Sequence, residues 1–235
     1  MSKDNIKRLS LDEYYGDMCK RGINKRNKIV HIHIPKTGGS SLRKYLKSHG
    51  STHSICSIFD KYHPHLRTEN YKFITIIRNP YSRLISLYFF NINNPDVPAH
   101  KFLRSFGSFK KFVHQLKNIK ILDIFETLKV AKDKNLNRKE LHKYYLEEKV
   151  LPHNFKSQYT WFDGKIDVIM RLEQLNQDLK QLDFLKVTDK KVSKKNTSSH
   201  GRWQTYYDQE LADVVYDVYK GDFEQLNYDK DSWKN

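Results

Sequence analysis

Lys36 and Arg78 are the residues of this sequence whose settings point to chemistry on phosphate-like anions. Each stands at a turn between an apolar β-type run and an amphipathic stretch. Lys36 lies in Pro35-Lys36-Thr37-Gly38-Gly39-Ser40-Ser41, after the alternating Val30, Ile32 and Ile34 of a buried strand. Gly38 and Gly39 let the backbone approach a ligand and turn its N–H groups inward. Ser40 and Ser41 offer hydroxyls where a helix through Leu42, Tyr45 and Leu46 begins, and such N–H groups attract phosphate. The order is not G-x-x-x-x-G-K-[ST], because Lys36 precedes the glycines. Arg78 ends the run Phe73 to Ile77 in Arg78-Asn79-Pro80, and Pro80 suits a first helical position. Its guanidinium can hold a phosphate bidentately. Ser86, eight residues on, adds a hydroxyl if its helix face lines the same pocket. Two such turns, one led by Lys and one by Arg, suit a ligand with phosphate groups at both ends.

Alternating strands and helices must position these turns. The pattern predicts strand, loop and helix over 28–49, a polar connection over 50–70, and a second strand and helix over 71–92. A loop with Pro95 and Pro98 leads to a mainly helical 101–150, where Phe102, Phe106, Phe109, Phe112 and Leu116 recur at helical spacing, as core residues do. A charged amphipathic helix is expected over 135–150. A third strand is expected at 166–170, a helix to Leu182, a basic Ser-rich loop from Thr188 to His200, and a last helix over 208–220 capped by Asp208. The expected fold is α/β, a P-loop-like central parallel sheet flanked by helices. Ligands of such sheets bind beyond the carboxyl ends of the strands, where both turns fall. Residues 1–27 read as a flexible or loosely packed arm, and 28–235 as a single domain.

Composition narrows the partners. The 235 residues carry 43 Lys and Arg against 27 Asp and Glu, a net charge of +16, which suits a polyanionic partner or an anionic cofactor. No zinc-finger or RNA-recognition signature supports nucleic acid. Two cysteines, Cys19 and Cys56, make no disulfide framework. No apolar run is long enough to span a membrane and the first residues lack a signal-peptide core, so the expectation is either a chain from which an N-terminal anchor has been removed or a soluble protein, cytoplasmic in a bacterium or virus-infected cell.

At the two turns the chain resembles the sulfotransferases that use 3′-phosphoadenosine 5′-phosphosulfate (PAPS). Residues 35–41 are similar to that family's 5′-phosphosulfate loop, and Arg78-Asn79-Pro80 with Ser86 to its 3′-phosphate signature. The wording is closer to the carbohydrate enzymes, heparan and chondroitin types and bacterial relatives, than to the steroid and phenol enzymes. The resemblance runs from about Lys28 to Tyr228. It includes Val168 to Leu175, Asn196-Thr197-Ser198-Ser199-His200 with Tyr206-Tyr207, and Asp222-Phe223 with Tyr228. It implies that Lys36, Thr37, Gly38, Gly39, Ser40, Ser41, Arg78, Ser86, Ser198 and His200 bind PAPS and its product adenosine 3′,5′-bisphosphate. It implies that Lys36 also serves the leaving group.

Sulfuryl transfer needs a base for the acceptor hydroxyl, charge for the leaving bisphosphate and in-line positioning. Tyr62-His63-Pro64-His65 resembles the Y-H-x-H run of uronyl 2-O-sulfotransferases, which points to His65 as base and His63 as its partner or a substrate contact. Glu69 is the carboxylate rival. His153 and Gln158 resemble an acceptor-side segment. No metal is expected, since the histidines lack zinc spacing. The expected acceptor is a hydroxyl on an anionic glycan; the alternatives are a protein-tyrosine or small-alcohol sulfotransferase, or a P-loop-like nucleotide-binding kinase.

Overall fold

A computed structural model describes residues 16–17, 19–46, 53–133, 136, 138–162, 165–180, 182 and 200–234. In chain order the elements are β1 (Ile23–Asn24), β2 (Ile29–Ile32), α1 (Gly39–Tyr45), α2 (Cys56–Tyr62), α3 (His65–Thr68), β3 (Lys72–Ile77) and α4 (Pro80–Asn93). There follow α5 (His100–Ser105), α6 (Phe109–Gln115), β4 (Lys120–Ile121), α7 (Ile124–Asp133), α8 (Arg138–Glu147), β5 (Val150–Leu151), β6 (Val168–Arg171), α9 (Leu175–Lys180), α10 (Gln209–Val218) and α11 (Lys220–Gln225). They fall into two compact units of interleaved sequence, 1–78 with 160–197, and 79–159 with 198–235. The protein is α/β, with a central, mostly parallel sheet flanked by helices.

The first unit holds that sheet, in the order β1-β2-β3-β6. β2, β3 and β6 run parallel, with Val30 opposite Phe73 and Ile74 opposite Val168; β1 joins antiparallel through Ile23 and Val30. All of β2 is buried, as a strand covered on both faces requires. On one face Leu42 and Leu46 pack with Ile74, Ile76, Met170, Leu175 and Leu179. On the other, Phe59 of α2 meets Phe73 edge-on at 6.1 Å, and the Arg67 guanidinium of α3 lies 3.4 Å over the same ring. Each of the fully buried aliphatic and aromatic side chains here contributes about 1.5–3 kcal/mol by leaving water.

Two expectations change in this unit. Part of the supposed N-terminal arm is structural, because residues 23–24 form β1 and Cys19 is fully buried. The polar connection over 50–70 holds two helices, α2 and α3. Its apolar residues Ile58, Phe59 and Leu66 all bury, but they are too few and too interspersed with polar residues for the sequence pattern to stand out.

The second unit is mainly helical. α4 starts as Arg78-Asn79-Pro80 suggests: Oδ1 of the Asn79 side chain accepts from the Tyr81 and Ser82 amides at 3.0 and 3.3 Å, with Pro80 in the first helical position. Phe102, Phe109, Phe112 and Leu116 are buried as expected and Phe106 packs against them, with Tyr88 stacked on Phe112 at 5.4 Å. α10 begins at the Asp208 cap, whose carboxylate accepts from the Leu211 amide at 2.9 Å. A short parallel ladder between β4 and β5, with Lys120 opposite Val150, was not legible, since two-residue strands carry no period. No helix among the described residues is long and apolar enough to cross a membrane.

Candidate functional site

The loop after β2 is shaped residue by residue. His33, Ile34 and Pro35 carry the chain out of the sheet buried. Lys36 then takes φ of 68°, a left-handed conformation costly for a side chain with a Cβ. The buried Thr37 hydroxyl donates to the Ile34 carbonyl at 2.8 Å and closes the turn. Gly38 has φ of 93°, and a Cβ there would stand 2.5 Å from Leu172 Cδ1. A Cβ on Gly39 would stand 2.0 Å from His33 Cδ2, so Gly39 is required by space and Gly38 by conformation. The Gly38 carbonyl accepts from the Ser41 and Leu42 amides, while the amides of Thr37 and Gly38 donate to nothing among the described residues.

The second cation reaches this loop. Arg78, one residue past β3, donates from Nη1 to the Lys36 carbonyl at 3.1 Å. Burial, and then the Arg78 charge, push the Lys36 ammonium down to about 8. The same turn thus carries two cationic side chains, Lys36 and Arg78, and two amides that donate to nothing among the described residues, a combination that suits a multivalent anion.

Three imidazoles lie under the loop. His31 and His33 stack at 5.3 Å, and the His33 and His53 rings approach to 4.5 Å. Both His31 and His33 are 6% exposed. Burial first, and then the charge of His53, bring His31 down to about 4 and His33 well below its ordinary range, with His31, Arg43 and Lys36 adding to the effect on His33. His53 Nδ1 donates to the His33 carbonyl at 2.9 Å.

The sulfotransferase family model matches residues 22–229, most of the chain. The chain belongs to the sulfotransferase family. No curated protein and no solved structure matches it. It is therefore an enzyme of sulfuryl transfer.

Other expected residues of this sulfotransferase lie as follows. Ser40 is half-buried and Ser41 buried at the start of α1. His63 is half-buried and its Nε2 donates to the Gly16 carbonyl at 2.9 Å. His65 is exposed and opens the one-turn α3, its ring meeting His63 edge-on at 5.8 Å; it heads a helix rather than lying in a loop. Glu69 is exposed at the end of α3. Ser86 and His200 belong to the second unit. Ser86 is buried on α4, and His200 lies on Phe89, one turn further along that helix, at 5.5 Å. Ser198 lies outside the described residues. Among the described residues no group of three His, Cys, Asp or Glu is placed to hold a metal ion.

Gln158 changes role. It is fully buried, and its amide donates to Asp222 at 3.3 Å, so it serves the second unit's interior rather than an acceptor. Asp222 also accepts from the Tyr159 amide at 3.0 Å, and burial raises its carboxyl while Arg83 opposes that rise. Arg83 is 2% exposed and donates to the carbonyls of Asn154 and Lys156 at 2.8 and 3.0 Å, which ties the segment around His153 to α4.

Sequence reasoning passed over Arg83, His33 and His53. Arg83 stands three residues past Pro80, on the face the amphipathic pattern assigns to the core, and a charged residue on a core face is a signal worth heeding. His33 alternates with the strand's apolar residues and reads as an ordinary polar-face residue. His53 carries no local signal, because its value comes from a contact twenty residues away.

Proposed function

We propose that this sulfotransferase moves a sulfuryl group from PAPS to a carbohydrate hydroxyl by in-line displacement, with a histidine as general base. The observation that carries the reading is the meeting of Lys36 and Arg78 at one glycine-shaped turn. Bound PAPS would supply an activated sulfuryl group on a phosphate leaving group. The residues present fit such a ligand: two cations, two amides that donate to nothing among the described residues, and serine hydroxyls all suit a polyanion.

Lys36 and the Thr37 and Gly38 amides would hold the phosphosulfate end, and the Lys36 ammonium would balance charge on the oxygen that leaves. Its pKa near 8 keeps it mostly charged at neutral pH while leaving it responsive to the anion beside it. Arg78 would hold the 3′-phosphate. Ser86 and His200, and Ser198 with them, are the further nucleotide contacts that the sequence resemblance assigns. The carbohydrate acceptor is supported by the carbohydrate-type wording of both signatures, and the net charge of +16 favours an acidic glycan.

The test is transfer of radiolabel from PAPS to a panel of acidic polysaccharides, tyrosine peptides and small alcohols, alongside calorimetric binding of adenosine 3′,5′-bisphosphate. Label in a polysaccharide, with bisphosphate bound more tightly than ATP, is the expected result. Binding of ATP with Mg²⁺ in preference to the bisphosphate would refute it.

A further inference from the structure

We infer that His33 is a further contact of the anion seated in the Lys36 loop, donating to it a hydrogen bond from ring Nε2. The inference rests on the anion-loop reading above and, for the natural ligand, on PAPS as the donor. A buried polar side chain normally has a hydrogen-bond partner, and one that finds none within the chain calls for a ligand, an ion or a bound water.

The ring stands at the loop itself. A Cβ on Gly39 would lie 2.0 Å from His33 Cδ2 and 2.2 Å from Nε2, so the edge of the ring that bears Nε2 fills the space beside the Gly38–Gly39 peptide link. Gly39 is the first residue of α1. In a helix the Cα–Cβ direction leans toward the amino end, the end to which the first amides also point. The ring edge that takes the place of a Cβ therefore stands at the amino end of α1. The amides of Thr37 and Gly38, the two residues just before it, donate to nothing among the described residues. Lys36 opens the same turn, and Arg78 is joined to it through the Lys36 carbonyl.

Neither ring nitrogen is taken up among the described residues. His33 is buried, Nδ1 has no hydrogen-bond partner, and no hydrogen bond of Nε2 occurs there either. A neutral imidazole carries one N–H and one lone pair. A buried N–H without a partner is rarer than a buried acceptor without one. The wholly enclosed Nδ1 is thus the place for the lone pair, and Nε2, at the loop, the place for the proton.

Two neighbours fix the plane of the ring. His31 stacks on it at 5.3 Å with 20° between the planes. His53 lies at 4.5 Å and bonds the His33 carbonyl at 2.9 Å. The N–H is therefore aimed before a ligand arrives, which is what makes a fixed donor effective.

The ring also stays neutral. Burial first, and then the charges of His53, His31, Arg43 and Lys36, hold it well below its ordinary range. It gives the anion a hydrogen bond without adding a third charge to the turn. A neutral imidazole with a lowered pKa can serve as a donor at an enzyme site, because its N–H stays in place across the working pH range. Charge at this turn comes from Lys36 and Arg78, and direction from His33. The accepting oxygen belongs to the phosphosulfate end assigned above to Lys36.

The experiment measures calorimetric binding of adenosine 3′,5′-bisphosphate and of inorganic pyrophosphate to wild type, His33→Phe and His33→Gln. Phe keeps a ring against Gly39 without an N–H, and Gln restores an N–H in the place of Nε2. We expect His33→Phe to bind each probe roughly 10–100-fold more weakly, as the loss of a hydrogen bond to a charged group requires, and His33→Gln to recover to within about threefold of wild type. His33→Phe that binds both probes as wild type does overturns the inference. So does equal weakening in His33→Phe and His33→Gln, which would make the ring a packing element of the loop. Should both variants fail to fold, the ring nitrogen resonances of the wild type decide. A proton on Nε2 whose signal moves on adding pyrophosphate supports the inference. A proton on Nδ1, or a ring signal that pyrophosphate leaves unchanged, refutes it. Wild type that binds pyrophosphate but not the bisphosphate removes the PAPS reading alone, and the pyrophosphate comparison then decides for His33. Wild type that binds neither probe overturns both.

Discussion

Acidification should destabilise this protein through the imidazoles packed beside the Lys36 loop. The perturbation is a drop from pH 7.5 to pH 5. His31 is 6% exposed in the native state, and its pKa falls from 6.5 to about 4. The unfolded chain therefore takes up the proton first. The sign follows directly: a histidine whose folded pKa is depressed contributes its full share above the unfolded pKa and loses it as pH falls from 6.5 toward 4. Over the whole window His31 alone accounts for about 3 kcal/mol, since each pKa unit is worth ~1.4 kcal/mol. At pH 5 about 2 kcal/mol of this is already lost. His33 shifts in the same direction and adds to the loss. Urea unfolding at pH 7.5, 6.5 and 5 would measure the effect in wild type and His31→Asn. Carboxylates of the protein titrate alike in both, so the difference isolates His31. The variant should start less stable at pH 7.5 and lose about 2 kcal/mol less on the way to pH 5. Parallel pH dependences within about 0.5 kcal/mol would show that His31 is not held neutral by burial, and the reasoning would fail.

Other outcomes can be checked with simpler measurements. Lys36→Ala and Arg78→Ala should each weaken adenosine 3′,5′-bisphosphate binding by roughly 1.5–3 kcal/mol in calorimetry, with Lys36→Ala also slowing turnover at saturating PAPS; unchanged affinity in both would refute the shared anion site. Gly38→Ala should lower stability by about 1 kcal/mol and impair binding, because φ of 93° strains any residue with a Cβ and the Leu172 methyl must move aside; a melting midpoint and affinity like wild type would contradict the loop geometry. Arg83→Met should destabilise by roughly 3–5 kcal/mol, since it strips a buried partner from Asp222 and two carbonyls; a variant as stable as wild type in urea would show that the cluster contributes nothing net.

How far the sequence could be read depended on the distance over which each signal acts. Strands β2, β3 and β6 announced themselves through continuous apolar runs, and the loop and Asn79-Pro80 through local turn and cap chemistry. Asp208 was legible for the same reason, since a cap acts over three residues. Lys36 and Arg78 were found as separate signatures, but their contact depends on parallel pairing of β2 with β3, which brings together residues forty-two apart. Gln158 misled because its neighbours resembled an acceptor segment, whereas its partner Asp222 lies sixty-four residues away. The short helices α2 and α3 were lost because seven- and four-residue elements rich in polar side chains leave little period to detect.

The two unusual backbone features of the loop make sense together. Lys36 is left-handed although it is not glycine, and Gly39 cannot accept a Cβ because a histidine ring already fills the place. Both are costs to the native state, and neither improves the core. The left-handed turn at Lys36 presents its carbonyl to Arg78, and the next two amides have no partner among the described residues. The ring on Gly39 links the loop to His53 through a carbonyl bond and a ring contact. Strain of this kind persists where surrounding structure overdetermines it, and here the determinants are the sheet beneath and the imidazole column beside it. Removing the His33 ring should therefore loosen the loop and its contact with His53 together. If His33→Ala left bisphosphate affinity and turnover both intact, the loop and the column would be energetically independent.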